Sequence, residues 1–134
     1  MTHFRVTEAA ALLGVSDDTV RRWIDNDRLP AVRDSAGRWS VQGRDLAELA
    51  AAHAVAPEAP GVAASSAGNQ MTGLVTQVVR EGLLAQVEIQ AGPFRLVSLM
   101  SLERCDELGL AAGSLVVTSV TPHDLLVEAP SARR

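Results

Sequence analysis

The sequence has one cysteine, Cys105, no lysine, and no apolar run of about twenty residues that could span a membrane. A single cysteine excludes an intrachain disulfide and a cysteine-rich metal site, and we expect this one to be a structural core residue rather than a redox thiol. A basic-then-apolar leader is also missing, so we expect a cytoplasmic protein that does not bind membranes. The 12 basic residues, all arginine, are outnumbered by 16 acidic ones, giving a net charge of -4. This balance argues against nonspecific binding of nucleic acid over the whole protein surface. It is compatible with a local basic face that binds nucleic acid.

Motifs for catalysis and metal binding are missing as well. His3, His53 and His123 are far apart and lack the spacing of metal ligands. The sequence contains no nucleophile motif, no paired catalytic carboxylates and no glycine loop that would cradle a phosphate. We therefore predict a binding protein, not an enzyme, and no metal site.

The composition changes near residue 54. Residues 54–68, AVAPEAPGVAASSAG, carry one charge and are typical of a connection between domains. Helical patterns precede this stretch, and valine-rich and leucine-rich segments separated by glycine follow it. We predict a two-domain α + β protein, with a helical domain over residues 1–53, a linker over 54–65 and a β domain over 66–130.

Two short helices are predicted in the first domain. Thr7 can cap the first helix and Ser16 the second, and the intervening Gly-Val-Ser makes the pair a helix-turn-helix. In the second helix Val20, Trp23 and Ile24 share the inward face. We therefore expect this tryptophan, like Trp39 later in the chain, to lie in the core rather than to stack on bases.

Arginines lie on the opposite side of the second helix and around the turn that follows it. Arg21 and Arg22 are predicted to face outward, and the helix ends before Leu29-Pro30. The segment AVRDSAGRWSV then predicts two short strands around an Asp-Ser-Ala-Gly turn, a wing flanked by Arg33 and Arg38. A third helix, GRDLAELAAAH, would turn inward the side chains of Leu46, Leu49 and Ala50.

The segment VTEAAALLGVSDDTVRRWIDNDRLPAVRDSAGRWSVQGRDLAEL resembles the winged helix-turn-helix of excisionases and MerR-like regulators. The resemblance implies binding to double-stranded DNA, with a recognition helix over about residues 17–27 in the major groove and the wing on the backbone or in the minor groove. The contacts that it implies are Ser16, Thr19, Arg21, Arg22, Arg33 and Arg38. The alternative is that Asp17–Arg21 and Asp18–Arg22, acid-before-base pairs four residues apart, only stabilise a solvated helix.

The sequence of the second domain predicts a small β-barrel of five strands. GLVTQVVREGLLAQVEIQAGPFRLVSLMS predicts three strands with turns at Glu81-Gly82 and Ala91-Gly92-Pro93. A short helix in SLERCDELGLAAG follows, and the segments SLVVTSV and LLVEA predict the last two strands. An OB-like barrel fits this order.

Residues 64–129 are similar to the molbindin-like (Mop or TOBE) domain of molybdate-binding proteins and molybdate-responsive regulators. The similarity rests on SAGNQMTGLVTQVVREGLLAQVEI, on LVSLMSLERCDELGLAAGS and on the closing strands. It implies homo-oligomers assembled through this domain, and a molybdate or tungstate oxyanion held between subunits by backbone N–H groups, hydroxyls and cationic side chains. The candidate ligand residues that align with the family's ligands are Ser66, Asn69, Ser101 and Thr121, and Arg104 is added to them as a candidate replacement cation.

The sequence departs from that family at both cationic ligands. Gly68 replaces the family's arginine, and its lysine aligns near Thr121, followed by Pro122, which has no N–H to donate. Each charge-assisted hydrogen bond is worth about 1.5 to 3 kcal/mol, so the loss of both should cost several kcal/mol unless they are replaced. Arg104 and Arg95 are the candidates to replace them.

We therefore predict a DNA-binding transcriptional regulator whose C-terminal barrel oligomerises the protein and binds a small oxyanion or another effector. Two alternatives stay open at this point. One is an oxyanion-binding or storage protein in which the helical domain is an interaction appendage. The other is an architectural, excisionase-like DNA binder with no effector.

Overall fold

The computed structural model describes residues 2–54 and 68–131. They form two compact units, the N-terminal unit, residues 2–54, and the C-terminal unit, which begins at residue 68. The predicted two-domain α + β class is confirmed. The exact boundaries of the linker stay a prediction, because residues 55–67 lie outside the described part of the chain. Within that part, no helix combines the length and the apolar character that a membrane span requires.

The N-terminal unit contains three helices and a small sheet in the order β1-β3-β2. Its elements are β1 (His3–Phe4), α1 (Val6–Leu13), α2 (Asp17–Asp25), β2 (Val32–Arg33), β3 (Trp39–Gln42) and α3 (Gly43–His53). The two helices α1 and α2 form the helix-turn-helix, β2 and β3 pair antiparallel as the wing, and β1 extends the sheet on the other side of β3.

The core of this unit is formed by the predicted inward faces. Val20 and Ile24 of α2 and Leu46 and Leu49 of α3 are buried, while Trp23 packs half-buried against the same cluster. Each fully buried aliphatic side chain stabilises the fold by about 1.5 to 3 kcal/mol relative to exposure. The face predictions for α2 and α3 are therefore confirmed.

The cap predicted for α2 is correct and the cap predicted for α1 is wrong. Ser16 Oγ accepts from the backbone N–H of Thr19 at 3.1 Å. The first helix begins one residue before Thr7, and its N-cap is Arg5, whose backbone N–H donates to Glu8 Oε1 at 3.1 Å. Glu8, three residues after the cap, satisfies the backbone N–H of Arg5, and Thr7 lies inside the first turn, so it is not the N-cap.

The C-terminal unit is an antiparallel sheet with one helix packed on it. Its elements are β4 (Asn69–Glu81), β5 (Leu84–Ala91), β6 (Phe94–Ser101), α4 (Leu102–Glu107) and β7 (Leu115–Val120), and the strand order is β6-β5-β4-β7. Alternate residues of β5 (Ala85, Val87 and Ile89) face inward and are buried. Cys105 of α4 is fully buried against them, as expected for a structural cysteine.

The predicted fifth strand is absent from the described chain. Residues 121–131 contain no strand, and Leu126 and Val127 in LLVEA are 85% and 88% exposed. The outer strands of the sheet are β6 and β7, and neither pairs with this segment within the chain. Residues 68–131 therefore form an open sheet of four strands instead of the predicted barrel of five.

The long strand β4 divides its pairing between two neighbours. Its first six residues, Asn69 to Leu74, pair with β7, and the residues from Leu74 to Glu81 pair with β5, with a bulge between Val75 and Gln77. Thirteen residues of extended chain span about 40 Å. The two ends of β4 therefore lie in separate regions of the unit.

Candidate nucleic-acid interface and ligand residues

Four arginines of the N-terminal unit line one concave surface, which we call the arginine cleft. Arg5 precedes α1, Arg21 lies on α2, and Arg33 and Arg38 come from the two sides of the wing. The cleft has a volume of about 470 Å³, and its remaining lining residues are Val6, Thr7 and Trp39. Residues 2–54 contain seven arginines and eight acidic residues. A unit with almost no net charge therefore places four of its seven arginines on one face.

The wing turn is held by one carboxylate. Asp34 Oδ1 accepts from the backbone N–H groups of Ala36 at 2.9 Å and Arg38 at 3.0 Å. Gly37, at a φ of 77°, donates its N–H to the Asp34 carbonyl at 2.9 Å. The hydrogen bond from the Arg38 N–H is the main reason that the pKa of Asp34 lies below its ordinary value, since it favours the ionised carboxylate. The turn therefore fixes the backbone positions from which the side chains of Arg33 and Arg38 project.

Arg33 is oriented by two contacts within the wing. Its guanidinium carbon lies 4.2 Å from the centroid of the Trp39 ring, and its Nη1 donates to the Gly37 carbonyl at 2.6 Å. Trp39 is half-buried and packs against the apolar core, as predicted, yet its ring also supports a surface cation. The guanidinium is therefore held along the wing rather than extended into solvent.

The two arginines predicted on α2 differ in their placement. Arg21 lines the cleft and lies 3.8 Å from Asp18, a pair three residues apart rather than the predicted four. Both side chains are more than half exposed, so this ion pair contributes little to stability. Arg22 is exposed but does not line the cleft.

The other predicted DNA contacts take part in a helix cap. Ser16 Oγ and Thr19 Oγ1 are 2.9 Å apart, and Ser16 caps α2, so both hydroxyls already have a local partner. Sequence reasoning missed Arg5, because it assigned the start of α1 to Thr7. The available signal was Glu8, which lies three residues after Arg5 and marks that residue as the cap.

The predicted oxyanion ligands fall into two groups, and the first is near the start of β4. Asn69 pairs with Val120, and its Nδ2 donates to the Val120 carbonyl at 3.0 Å. Thr121 follows, and its Oγ1 donates to Asp124 Oδ2 at 2.6 Å. A Cβ placed on Gly68 would lie 3.4 Å from Pro122 Cγ, so the two positions that lack the family's ligands are neighbours. Ser66 lies outside the described residues.

The second group lies near the opposite end of β4. Ser101 pairs with Leu84 of β5, and Leu84 also pairs with Glu81, the last residue of β4. The Ser101 Oγ accepts from the Arg104 backbone N–H at 3.1 Å. Ser101 lines a cleft of about 840 Å³ whose other lining residues are Leu83, Leu102, Glu103, Asp106 and Glu107. Three carboxylates in the lining oppose the binding of an anion there.

Every arginine among residues 68–131 is paired with a carboxylate. Arg80 Nη1 lies 2.5 Å from Asp106 Oδ1, Arg104 Nη1 lies 2.8 Å from Glu107 Oε2, and Arg95 forms an ion pair with Glu88. The hydrogen bond to Asp106 raises the pKa of Arg80 further above its usual range. Arg95 and Arg104 are therefore both engaged with carboxylates, and among the described residues the two groups of predicted ligands lie near opposite ends of β4.

Two family models match the chain, one in each unit. Residues 4–54 match the helix-turn-helix domain, and residues 65–127 match the TOBE domain. Both predicted resemblances are confirmed at this level, while the finer likeness to MerR-like regulators stays a prediction. No curated protein sequence matches the chain.

Two solved structures are similar to part of the chain. One is a molybdate-binding protein from Sporomusa ovata, 20% identical, covering 49% of this chain and 98% of its own, with a TM-score of 0.48. The other is MopII from Clostridium pasteurianum, 28% identical, covering 49% of this chain and 100% of its own, with a TM-score of 0.47.

Proposed function

We propose that this chain, a helix-turn-helix domain followed by a TOBE domain, is a DNA-binding transcriptional regulator whose C-terminal unit assembles several copies. The proposal describes a binding protein with no catalytic step of its own. Its DNA contacts come from α2 and the wing, and its affinity depends on the presence of more than one copy.

The observation that carries this proposal is the arginine cleft. Arg21 of α2 and Arg33 and Arg38 of the wing line one surface, although they are up to 17 positions apart in a chain of net negative charge. Arginine guanidinium groups suit both phosphate oxygens and the major-groove edge of guanine. A helix and a wing that share one cationic surface match the docking geometry of winged helix-turn-helix modules.

Assembly follows from the apolar surface of the C-terminal unit. Phe94, Val97 and Leu99 are exposed on β6, an outer strand of the sheet. Leu126 and Val127 are exposed on a segment whose pattern predicts a strand that its own chain does not form. An open edge and an apolar strand-like segment in the same unit favour strand addition between copies. Assembly would hold several weak DNA modules together and raise their avidity.

A second candidate function, oxyanion binding, is favoured by the TOBE match alone. The predicted ligands Asn69 and Thr121 lie near one end of β4, and Ser101 and Arg104 near the other, so a site that uses both groups needs two chains. The carboxylates paired with the arginines weigh against tight binding of a dianion such as molybdate or tungstate. We therefore rank this function below DNA binding.

The test is selection of genomic DNA fragments by the full-length protein at near-physiological salt, with and without molybdate. Arg21→Gln/Arg38→Gln, which removes two charges from the cleft, is compared with Arg28→Gln/Arg44→Gln, which removes two exposed arginines of the same unit outside it. We expect the unaltered chain and the control pair to recover one reproducible motif, and the cleft pair to recover none.

The outcomes separate the candidate functions. A motif that changes with molybdate supports an oxyanion-sensing regulator, and one that does not change supports a regulator that uses the TOBE domain for assembly or for another ligand. Strong bending of bound DNA without selectivity supports the architectural alternative. Failure to recover DNA, together with several tightly bound anions per oligomer, supports the storage protein.

A further inference from the structure

We propose that the arginine cleft binds one phosphodiester group of the DNA backbone, with Arg5 as a direct contact and Trp39 as the positioning residue for Arg33. The inference rests on the proposed function and deepens it. In this proposal the cleft contributes the sequence-independent part of the DNA affinity. Recognition of bases is carried out by other residues of α2.

Charge is the first argument. Arg21 and Arg38 each lie beside an aspartate, at 3.8 and 3.6 Å. Arg33 contacts the Trp39 ring and the Gly37 carbonyl, and Arg5 lies near enough to Asp34 to help lower its pKa, so the two aspartates, Asp18 and Asp34, are shared among four arginines. Four guanidinium groups around about 470 Å³ thus retain a net positive charge that an anion would neutralise. A phosphodiester shares one negative charge between two non-bridging oxygens, and these accept several N–H donors, which matches arginine geometry.

The shape of the wing is the second argument, and it favours a phosphate over a base edge. Reading a base requires a side chain that extends into a groove. The Arg33 guanidinium instead lies over the Trp39 ring and donates to the Gly37 carbonyl across the turn. Arg38 follows the turn that Asp34 holds and lies beside that carboxylate. Both guanidinium groups are therefore held at the surface of the wing, where they can contact a DNA backbone rather than reach into a groove.

The start of α1 supplies the third argument. Its first two residues, Val6 and Thr7, line the same cleft as the arginines. The N-terminal end of a helix carries a partial positive charge and backbone N–H groups that favour phosphate. Thr7, which does not cap the helix, is an exposed residue of this lining. Together with Arg5, the helix start forms a wall of the cleft that the sequence pattern did not predict.

The experiment measures the affinity of the full-length chain for its selected duplex and for a scrambled duplex across a range of salt concentrations. Arg5→Gln is expected to weaken binding to both duplexes by the same factor, about tenfold, since one charge-assisted contact is lost. It should also reduce the slope of log K against log salt by about 1, the signature of one lost phosphate contact. Arg44→Gln, an exposed arginine outside the cleft, should change affinity less than twofold.

Trp39 is tested by two substitutions and by coupling to Arg33. Trp39→Phe keeps a ring under the guanidinium and should retain the salt slope, whereas Trp39→Leu should reduce it as far as Arg33→Gln does. The double variant Arg33→Gln/Trp39→Leu should bind like Arg33→Gln alone, because both changes disable the same contact. Thermal unfolding of each variant checks that the unit is folded, and Arg5→Gln tests the cleft independently if Trp39→Leu unfolds it.

Three results would overturn the inference. If the Arg5→Gln variant binds both duplexes as tightly as the unaltered chain, Arg5 is not part of the DNA interface. A loss confined to the selected duplex would make the cleft a base-reading site. Absence of binding by the unaltered chain to any duplex would overturn the proposed function as well, and this result differs from the other two because it is seen before any substitution.

Discussion

Asp34 and Arg38 contact each other twice across the wing turn. Asp34 Oδ1 accepts from the Arg38 backbone N–H at 3.0 Å, and Asp34 Oδ2 lies 3.6 Å from the guanidinium Nε of the same residue. The carboxylate therefore sets both the backbone of the turn and the direction of the side chain that follows it. An acidic residue in a cationic surface is explained by this role.

The first prediction concerns the titration of Asp34. Its pKa is lowered below the ordinary value of 3.8 by the N–H groups it accepts from, so its contribution to wing stability is full above that value and is lost as pH falls through the lower, folded pKa. In NMR spectra, the amides of Ala36 and Arg38 should shift with a midpoint below 3.8. Asp34→Asn should abolish that titration, and a midpoint at or above 3.8 in the unaltered chain would contradict the assigned hydrogen bonds.

The second prediction separates the two arginines of α2. Arg21 lines the cleft and Arg22 does not, so Arg21→Gln should weaken binding to the selected duplex more than Arg22→Gln does in a fluorescence titration. If Arg22 reads a base edge instead, its substitution should reduce discrimination between the selected and scrambled duplexes by about 1 to 3 kcal/mol. Equal selectivity in both variants would remove both residues from direct readout.

The third prediction tests packing in the C-terminal unit. A Cβ on Gly73 of β4 would lie 2.5 Å from Ile89 Cγ2 and 3.1 Å from the Gln90 carbonyl oxygen. Gly73→Ala should therefore lower the free energy of unfolding by about 1 to 3 kcal/mol in urea denaturation, because the backbone of β5 has to move. Ser119→Ala on the exposed side of β7 serves as the control and should stay within about 0.5 kcal/mol.

The fourth prediction addresses assembly. Leu126→Glu places a charge on the apolar segment that pairs with no strand among residues 68–131, and it should lower the mass measured by light scattering of the eluting protein. Leu12→Glu introduces the same charge on a leucine that is 62% exposed in the N-terminal unit, and it should leave the mass unchanged. An unaltered mass for Leu126→Glu would separate this segment from the interface between copies.

The helical half of the fold was predictable because its signals are local. Ser16 caps α2 through a hydrogen bond three residues away, and Val20 and Ile24 share a face by helical spacing. The wing was predictable because Asp34 and Gly37 are turn-forming residues. The start of α1 was missed because arginine is not one of the usual N-cap residues, and the remaining signal was Glu8, which accepts from the Arg5 backbone N–H.

The limits of sequence reasoning lie where contacts are distant or belong to more than one chain. Convergence of Arg5 with Arg33 depends on how the start of α1 packs beside the wing, which no local pattern encodes. The segment LLVEA has the alternation of a strand, but a strand needs an edge to pair with, and its own chain does not provide one. Ion pairing of Arg95 with Glu88 depends on the register of β5 with β6, which was likewise not evident from spacing.

The balance of seven arginines and eight acidic residues in the N-terminal unit also bears on how the protein approaches DNA. Four of its seven arginines line one face, with Asp18 and Asp34 beside two of them, so the unit has an uneven charge distribution despite its small net charge. The electric field of a DNA duplex would rotate such a unit until the arginine cleft faces the phosphates. Approach with another face forward would be unfavourable. The unit would therefore be oriented for docking, while its net charge near zero gives it little general attraction to unrelated DNA.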